Sequence, residues 1–224
     1  VYGPNPDDNA QLAAVLATAR KAGVPKTIID AAIARGQGRT TKGATLESIT
    51  YEAIIPPTIA LIVEVETEVK SRALQDLGVA IKKAKGTATG SKYLFSRVGR
   101  VVFEKSTTGI GVDQVLEEAI EAGAEDVETD EAGNIVVWTS PTQTMQVCKS
   151  LGGSFGLNVL SSDIMWSPNE DTRAPLNSSA ELISFAELLA RLKEDPDVQA
   201  VYSNVTRGET TDEEWAAIEE NLDT

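Results

Sequence analysis

Ile59-Ala60-Leu61-Ile62-Val63-Glu64-Val65 limits what this chain can fold into more than any other stretch. The run is apolar and β-branched. It is long enough for a strand in the middle of a sheet and too short to cross a bilayer. Val69, Ala73, Leu77, Ala80, Ile81 and Ala84 follow at helical spacing, and Gly86 stops them. Tyr93-Leu94-Phe95 and Val101-Val102-Phe103 then read as two short strands around a turn at Val98-Gly99-Arg100. The helix and strand needed to complete such a β-α-β-β piece come much later, at Ala180 to Lys193 and Val198 to Ser203. The spacing predicts a central ferredoxin-like β-α-β-β-α-β unit, interrupted before its second helix.

Around this unit the chain divides by pattern. Asn5-Pro6-Asp7-Asp8 signals a helix start, and Leu12, Val15, Leu16 and Ala19 form the stripe. Gly23 ends that helix and Pro25 opens the next, whose stripe is Ile28, Ile29, Ala32 and Ile33 up to Gly36. The result is an αα-hairpin, followed by a basic Gly/Thr-rich linker from Gln37 to Ala44. Residues 106–175 read as an inserted unit in the order α-β-β-α-β, a second small α+β domain. Ser178-x-x-Glu181 and Thr211-x-x-Glu214 are capping-box signals for two later helices. The expected division is 1–50, 51–105 with 176–224, and 106–175, with the fold class α+β.

Composition narrows the chemistry. The 224 residues include no His and one Cys, Cys148. The commonest general base and the commonest zinc ligand are therefore missing, and no internal disulfide can form. Net charge is −14 and unevenly placed. The first 105 residues hold fifteen Lys/Arg against ten Asp/Glu (+5), and the remainder holds five against twenty-four (−19). A polyanion is attracted to the first part and repelled by the second.

Familiar motifs fail on context. Gly152-Gly153-Ser154-Phe155-Gly156 matches G-x-S-x-G, but a helix precedes it, a strand follows and no His exists to serve it. Gly109-Ile110-Gly111 lacks the third glycine of a dinucleotide fingerprint, where Gln114 stands. Gly86-Thr87-Ala88-Thr89-Gly90-Ser91-Lys92 has the wrong spacing for a P-loop, leaving a weak phosphate-contacting loop as its functional reading. Asp126, Glu128, Asp130 and Glu131 alternate like a metal loop, yet Gly133 comes too late for an EF-hand. No catalytic residue, metal site or cofactor emerges.

Ala19-Arg20-Lys21-Ala22-Gly23-Val24-Pro25-Lys26, with Ile29 and Ala32-Ile33-Ala34-Arg35-Gly36, resembles the helical hairpin of the YebC family. Tyr51-Glu52 and Ala60 to Glu64, Glu118-Ala119 with Ala122 to Val127, and Asp197 to Asn204 resemble its later blocks in the same order. Two departures stand out. Ala53 to Thr58 replaces the family's Gly-rich loop, and the usual basic N-terminal segment is absent. The resemblance implies a three-domain protein without enzymatic activity. The family includes proteins described as transcriptional regulators, ribosome-associated translation factors and a mitochondrial translational activator of cytochrome c oxidase.

On that basis the leading expectation is a ribosome-associated translation factor of the mitochondrial kind. It would be a monomer in the matrix without membrane insertion, its partners the mitochondrial ribosome through rRNA, with ribosomal proteins and mRNA as further expected partners. A cytoplasmic setting is the alternative location, and the Val1 start, without Met, would reflect a processed or trimmed N-terminus. Its expected RNA contacts are Arg20, Lys21, Lys26, Arg35, Arg39, Lys42, Lys82, Lys83, Lys85 and Lys92. The alternative function is a DNA-binding transcriptional regulator, against which stand the −14 charge and the lack of a recognition helix.

Overall fold

Two helices lead the chain, α1 (Ala10–Lys21) and α2 (Lys26–Gly36), joined through Gly23 in a left-handed conformation at φ +77°. The computed structural model describes residues 5–6, 10–40, 43–106 and 109–223. The expected helix-start signal at Asp7-Asp8 lies outside them. The hairpin is as the periodicity predicts, with Leu16 and Ile29 buried.

Strands β1 (Glu47–Ile55) and β2 (Ile59–Thr67) form an antiparallel hairpin in continuous register, Glu47 opposite Thr67 and Ile55 opposite Ile59. The stretch that replaces the family's Gly-rich loop is therefore the end of β1 and a turn holding a cis Pro56–Pro57 bond. Helix α3 (Lys70–Lys83) and the two-residue β3 (Thr87–Ala88) follow. The first sheet is ordered β3-β1-β2-β9, where β9 (Val198–Ser203) arrives from the far end of the chain to pair antiparallel with β2. One face of this sheet carries Leu61, Val63 and Val65, all at 2 % exposure or less, against α3 and α6 (Ser179–Lys193).

The second sheet corrects the sequence reading. Phe95–Phe103 is one nine-residue strand, β4, and the expected turn at Val98-Gly99-Arg100 lies inside it. A short 3-10 turn at Lys92–Leu94 precedes it. Strand β4 pairs with β6 (Ile135–Thr139) and β7 (Val159–Pro168), not with the first sheet. With α4 (Val112–Glu121), β5 (Ala124–Thr129) and α5 (Thr144–Phe155), the order becomes β4-α4-β5-β6-α5-β7, and the sheet is β5-β6-β4-β7. The β-α-β-β-α-β order expected of the central unit thus belongs to this one, because the insertion borrows β4. The first sheet takes its missing strands from β1 and β3.

Gly99 explains the misreading. A side chain there would collide with Thr139 and Thr144, whose hydroxyls lie 3.0 Å apart and buried over the strand. The glycine serves a close approach within a strand, not a turn.

Beyond the sheets, β8 (Ala174–Leu176) and β10 (Val205–Arg207) make a small parallel ladder, which the sequence did not suggest. Helix α7 (Asp212–Glu219) then packs Ile218 into the first core. Its cap is as expected: Thr211 Oγ1 accepts from the Glu214 amide at 3.3 Å, and Glu214 accepts from the Thr211 amide at 3.1 Å. The other expected box is not made, since Ser178 gives α6 no side-chain cap. A third buried cluster, Ala60, Ile62, Phe95, Met165 and Tyr202, joins the two sheets. No helix among the described residues is long and apolar enough to cross a membrane.

Candidate nucleic-acid interface

The expected cations fall into distinct groups. Arg20 and Lys21 end α1 and Lys26 begins α2; all three are exposed around the hairpin turn. Arg20 and Lys21 complement the negative end of their helix, whereas Lys26 faces the positive end of α2 and gains nothing from it. Lys82, Lys83 and Lys85 are exposed at the end of α3, with Lys85 in a left-handed turn at φ +61°. Lys42 lies outside the described residues.

Arg35 does not join the exposed set. Its guanidinium donates to Asp197 Oδ1 and to the Glu66 carbonyl, each at 3.0 Å, and lies 3.9 Å from the Glu66 carboxylate. It ties the end of α2 to the ends of β2 and β9. Beside it lies a cleft of about 350 Å³ lined by Arg39, Arg72 and Val69, but also by Glu68, Asp195 and Asp197. That mixed charge favours no anion.

Lys92 is likewise engaged. Its ammonium is 3.3 Å from Glu52 and 5.9 Å from the Trp166 ring centroid. The amides of Ser91 and Lys92 donate to Glu52 Oε2 at 2.7 and 2.9 Å. Partial burial pushes the Glu52 carboxyl up, but these two amides and the Lys92 ammonium outweigh it and hold the group below the usual carboxylate range. The loop read as a phosphate contact therefore already holds an internal anion in the place of the phosphate.

Of the ten expected cations, Arg20, Lys21, Lys26, Arg39, Lys82, Lys83 and Lys85 remain exposed. They are not one cluster. Arg39 shares its cleft with Val69 at the start of α3, while Lys82 to Lys85 sit at the other end of that helix. At 1.5 Å per residue the helix separates them by roughly 20 Å.

Sequence reading missed the aromatic–cation contacts between the two sheets. Arg97 stacks 4.8 Å from the Trp166 centroid and donates to Glu64 at 2.6 Å, and Trp166 Nε1 donates to the same Glu64 oxygen at 3.0 Å. Arg100 lies 5.7 Å from the Trp138 centroid. The signal was the unusual Arg-x-x-Arg within what is now a single strand. Among the described residues, no group of His, Cys, Asp or Glu is placed to hold a metal ion.

A helical hairpin, a sheet completed by β9 from the far end of the chain and a second α+β sheet define a three-part α+β protein. The family models agree. Residues 1–39 match the TACO1/YebC protein N-terminal domain, and residues 46–205 match the TACO1/YebC second and third domain. The chain belongs to the TACO1/YebC family. A protein of Lactobacillus johnsonii is 34 % identical over 204 residues, covering 90 % of this chain and 81 % of the relative. One of Frankia casuarinae is 36 % identical over 206 residues, covering 90 % and 79 %. Both are named "Probable transcriptional regulatory protein". The crystal structure of a conserved hypothetical protein of Aquifex aeolicus matches at a TM-score of 0.67 and 29 % identity, covering 93 % of this chain and 84 % of that one. These relatives are bacterial, and nothing in their names supports the mitochondrial oxidase activator expected from the sequence.

Proposed function

We propose that this protein is a non-catalytic regulator of gene expression that docks on nucleic-acid phosphates through the exposed cations of its hairpin and of the α3 end. The observation that carries this reading is Lys26 with Lys82, Lys83 and Lys85: exposed side chains that form no salt bridge with an acidic group among the described residues. The relatives' names support a transcriptional setting. A second reading, ribosome association and in its narrowest form the mitochondrial one, is favoured by α2. Its exposed positions Lys26, Thr27, Ile28, Asp30 and Ala32 hold one cation and one carboxylate, not the several cations of a groove-fitting helix. Docking of this kind positions a protein on phosphates and leaves specificity to shape or to neighbours.

The test measures binding of a DNA duplex and of a structured RNA across a salt series, for wild type and for Lys26→Glu/Lys83→Glu/Lys85→Glu. Wild-type affinity falls with salt, and each lost contact lowers the logarithmic slope by about one. An unchanged slope in the triple variant sinks the proposal. Comparing duplex with RNA affinity, and then transcript levels with ribosome co-sedimentation in a deletion strain, separates the two settings.

A further inference from the structure

The chain's three tryptophans lie far apart in sequence, yet Trp138, Trp166 and Trp215 all line one cleft, with Tyr202 at its wall. The cleft has a volume of about 310 Å³, at the lower end of the ligand-binding range, and is lined by strands β6 and β7, the β9–β10 segment and helix α7. Each tryptophan is half-buried. Each indole N–H donates to a carboxylate: Trp138 to Glu128 at 2.7 Å, Trp166 to Glu64 at 3.0 Å and Trp215 to Glu219 at 2.8 Å. The N–H groups are thus committed and the rings held in place; Arg97 and Arg100 already take one face of Trp166 and of Trp138, so what the aromatic wall has left to offer is their other faces and the Trp215 ring.

The charge around the cleft selects what such rings hold. Helix α7 carries Asp212, Glu213, Glu214 and Glu219 and no Lys or Arg. Glu219 and Asp223 line the cleft with one exposed cation, Arg173; Asp223 already pairs with Lys193 at 2.6 Å, which leaves Glu219 as the carboxylate offered to a ligand. Burial, with the carboxylates of Glu64 and Asp223, pushes the Tyr202 phenol up to about 12 despite Arg97 nearby. The two internal arginines, Arg97 and Arg100, already show the pairing chemistry on Trp166 and Trp138. Ring faces beside carboxylates attract a planar cation, and a nucleic-acid phosphate is repelled by the same α7 carboxylates.

We propose that this cleft binds an arginine side chain presented by a basic segment of a partner protein. The site belongs to the acidic part of the chain and does not rest on the phosphate-docking reading.

The test titrates the full chain with a short capped peptide of alternating glycine and arginine, read by tryptophan fluorescence. Glu219→Gln keeps an acceptor for the Trp215 N–H but removes its charge, and Trp215→Leu removes a ring while leaving two reporters. Both variants weaken binding about tenfold, the scale of one desolvated cation–π contact. Glu117→Gln, which removes one exposed charge from α4, leaves binding unchanged. Glu219→Gln lies at an exposed position and keeps the fold, so the test survives if Trp215→Leu unfolds. Absence of binding, equal weakening by Glu117→Gln, or saturation of the cleft by an oligouridylate with the same dependence on Glu219 each overturns the proposal.

Discussion

Asn204 is 1 % exposed, and its side-chain amide ties three segments together: Oδ1 accepts from the Ala60 amide at 2.8 Å, while Nδ2 donates to the Thr172 and Thr58 carbonyls at 2.6 and 3.2 Å. Asn204→Ala leaves buried groups unpaired and is expected to cost about 2–3 kcal/mol, read from urea unfolding. Asn204→Asp, which cannot donate when ionised, is expected to cost at least as much. Tyr202 supplies a pH signature. Its folded pKa is raised to about 12, so the stability it contributes is whole below the unfolded value near 10 and lost as pH climbs between the two. Denaturant midpoints should therefore fall more steeply over that window in wild type than in Tyr202→Phe. At this scale the sequence lists the cations but not the internal partners that withdraw two of them, Arg35 and Lys92, from the exposed set. Nothing local marks Arg35 as bound to Asp197, 162 positions away, or Lys92 as bound to Glu52.

Helix α2 is held to the first sheet largely by its last turn, through Arg35 on Asp197 and on the Glu66 carbonyl. The pair is about a third exposed, so its loss is worth roughly 1 kcal/mol or less in global stability. Its local effect is the more visible one. Arg35→Ala is expected to raise amide exchange across residues 37–46, with little change in α3. Capping gives a paired contrast. Thr211→Ala is expected to cost about 1 kcal/mol because its hydroxyl caps α7, and Ser178→Ala close to nothing because its side chain caps no amide of α6. The two sequence signatures are the same, so only the geometry tells them apart. Most helices were legible, since a 3.6-residue stripe is written into consecutive residues, but their ends were not: Ser140-Pro141 looks like the start of α5, which begins at Thr144. Strand partners were not. Strand β4 was cut in two because Gly99 looks like a turn, and β1 was missed because Pro56-Pro57 looks like the end of order.

Taken whole, the molecule is two sheets joined by the cluster around Ile62, Phe95 and Tyr202 and pinned by Arg97 and Trp166 on Glu64. The α+β class and the interruption of one unit by another could be read from sequence, because each depends on the order of elements. Which unit owns β4 could not, because pairing across a sheet leaves no mark on either strand alone. The second sheet is built from one unbroken stretch, β4 to β7, whereas β2 finds its neighbour β9 only after the whole of that stretch. A fragment spanning 92–172 is accordingly expected to unfold cooperatively in urea with its α4–α5 core intact, while a chain cut before 198 leaves β2 with an open edge. During synthesis from the N-terminus, the interior unit can finish while the unit that surrounds it still waits. The two ends of the first sheet are then brought together across an already folded neighbour, whose Phe95 and Met165, buried in the finished protein, offer the surface on which the late strand lands.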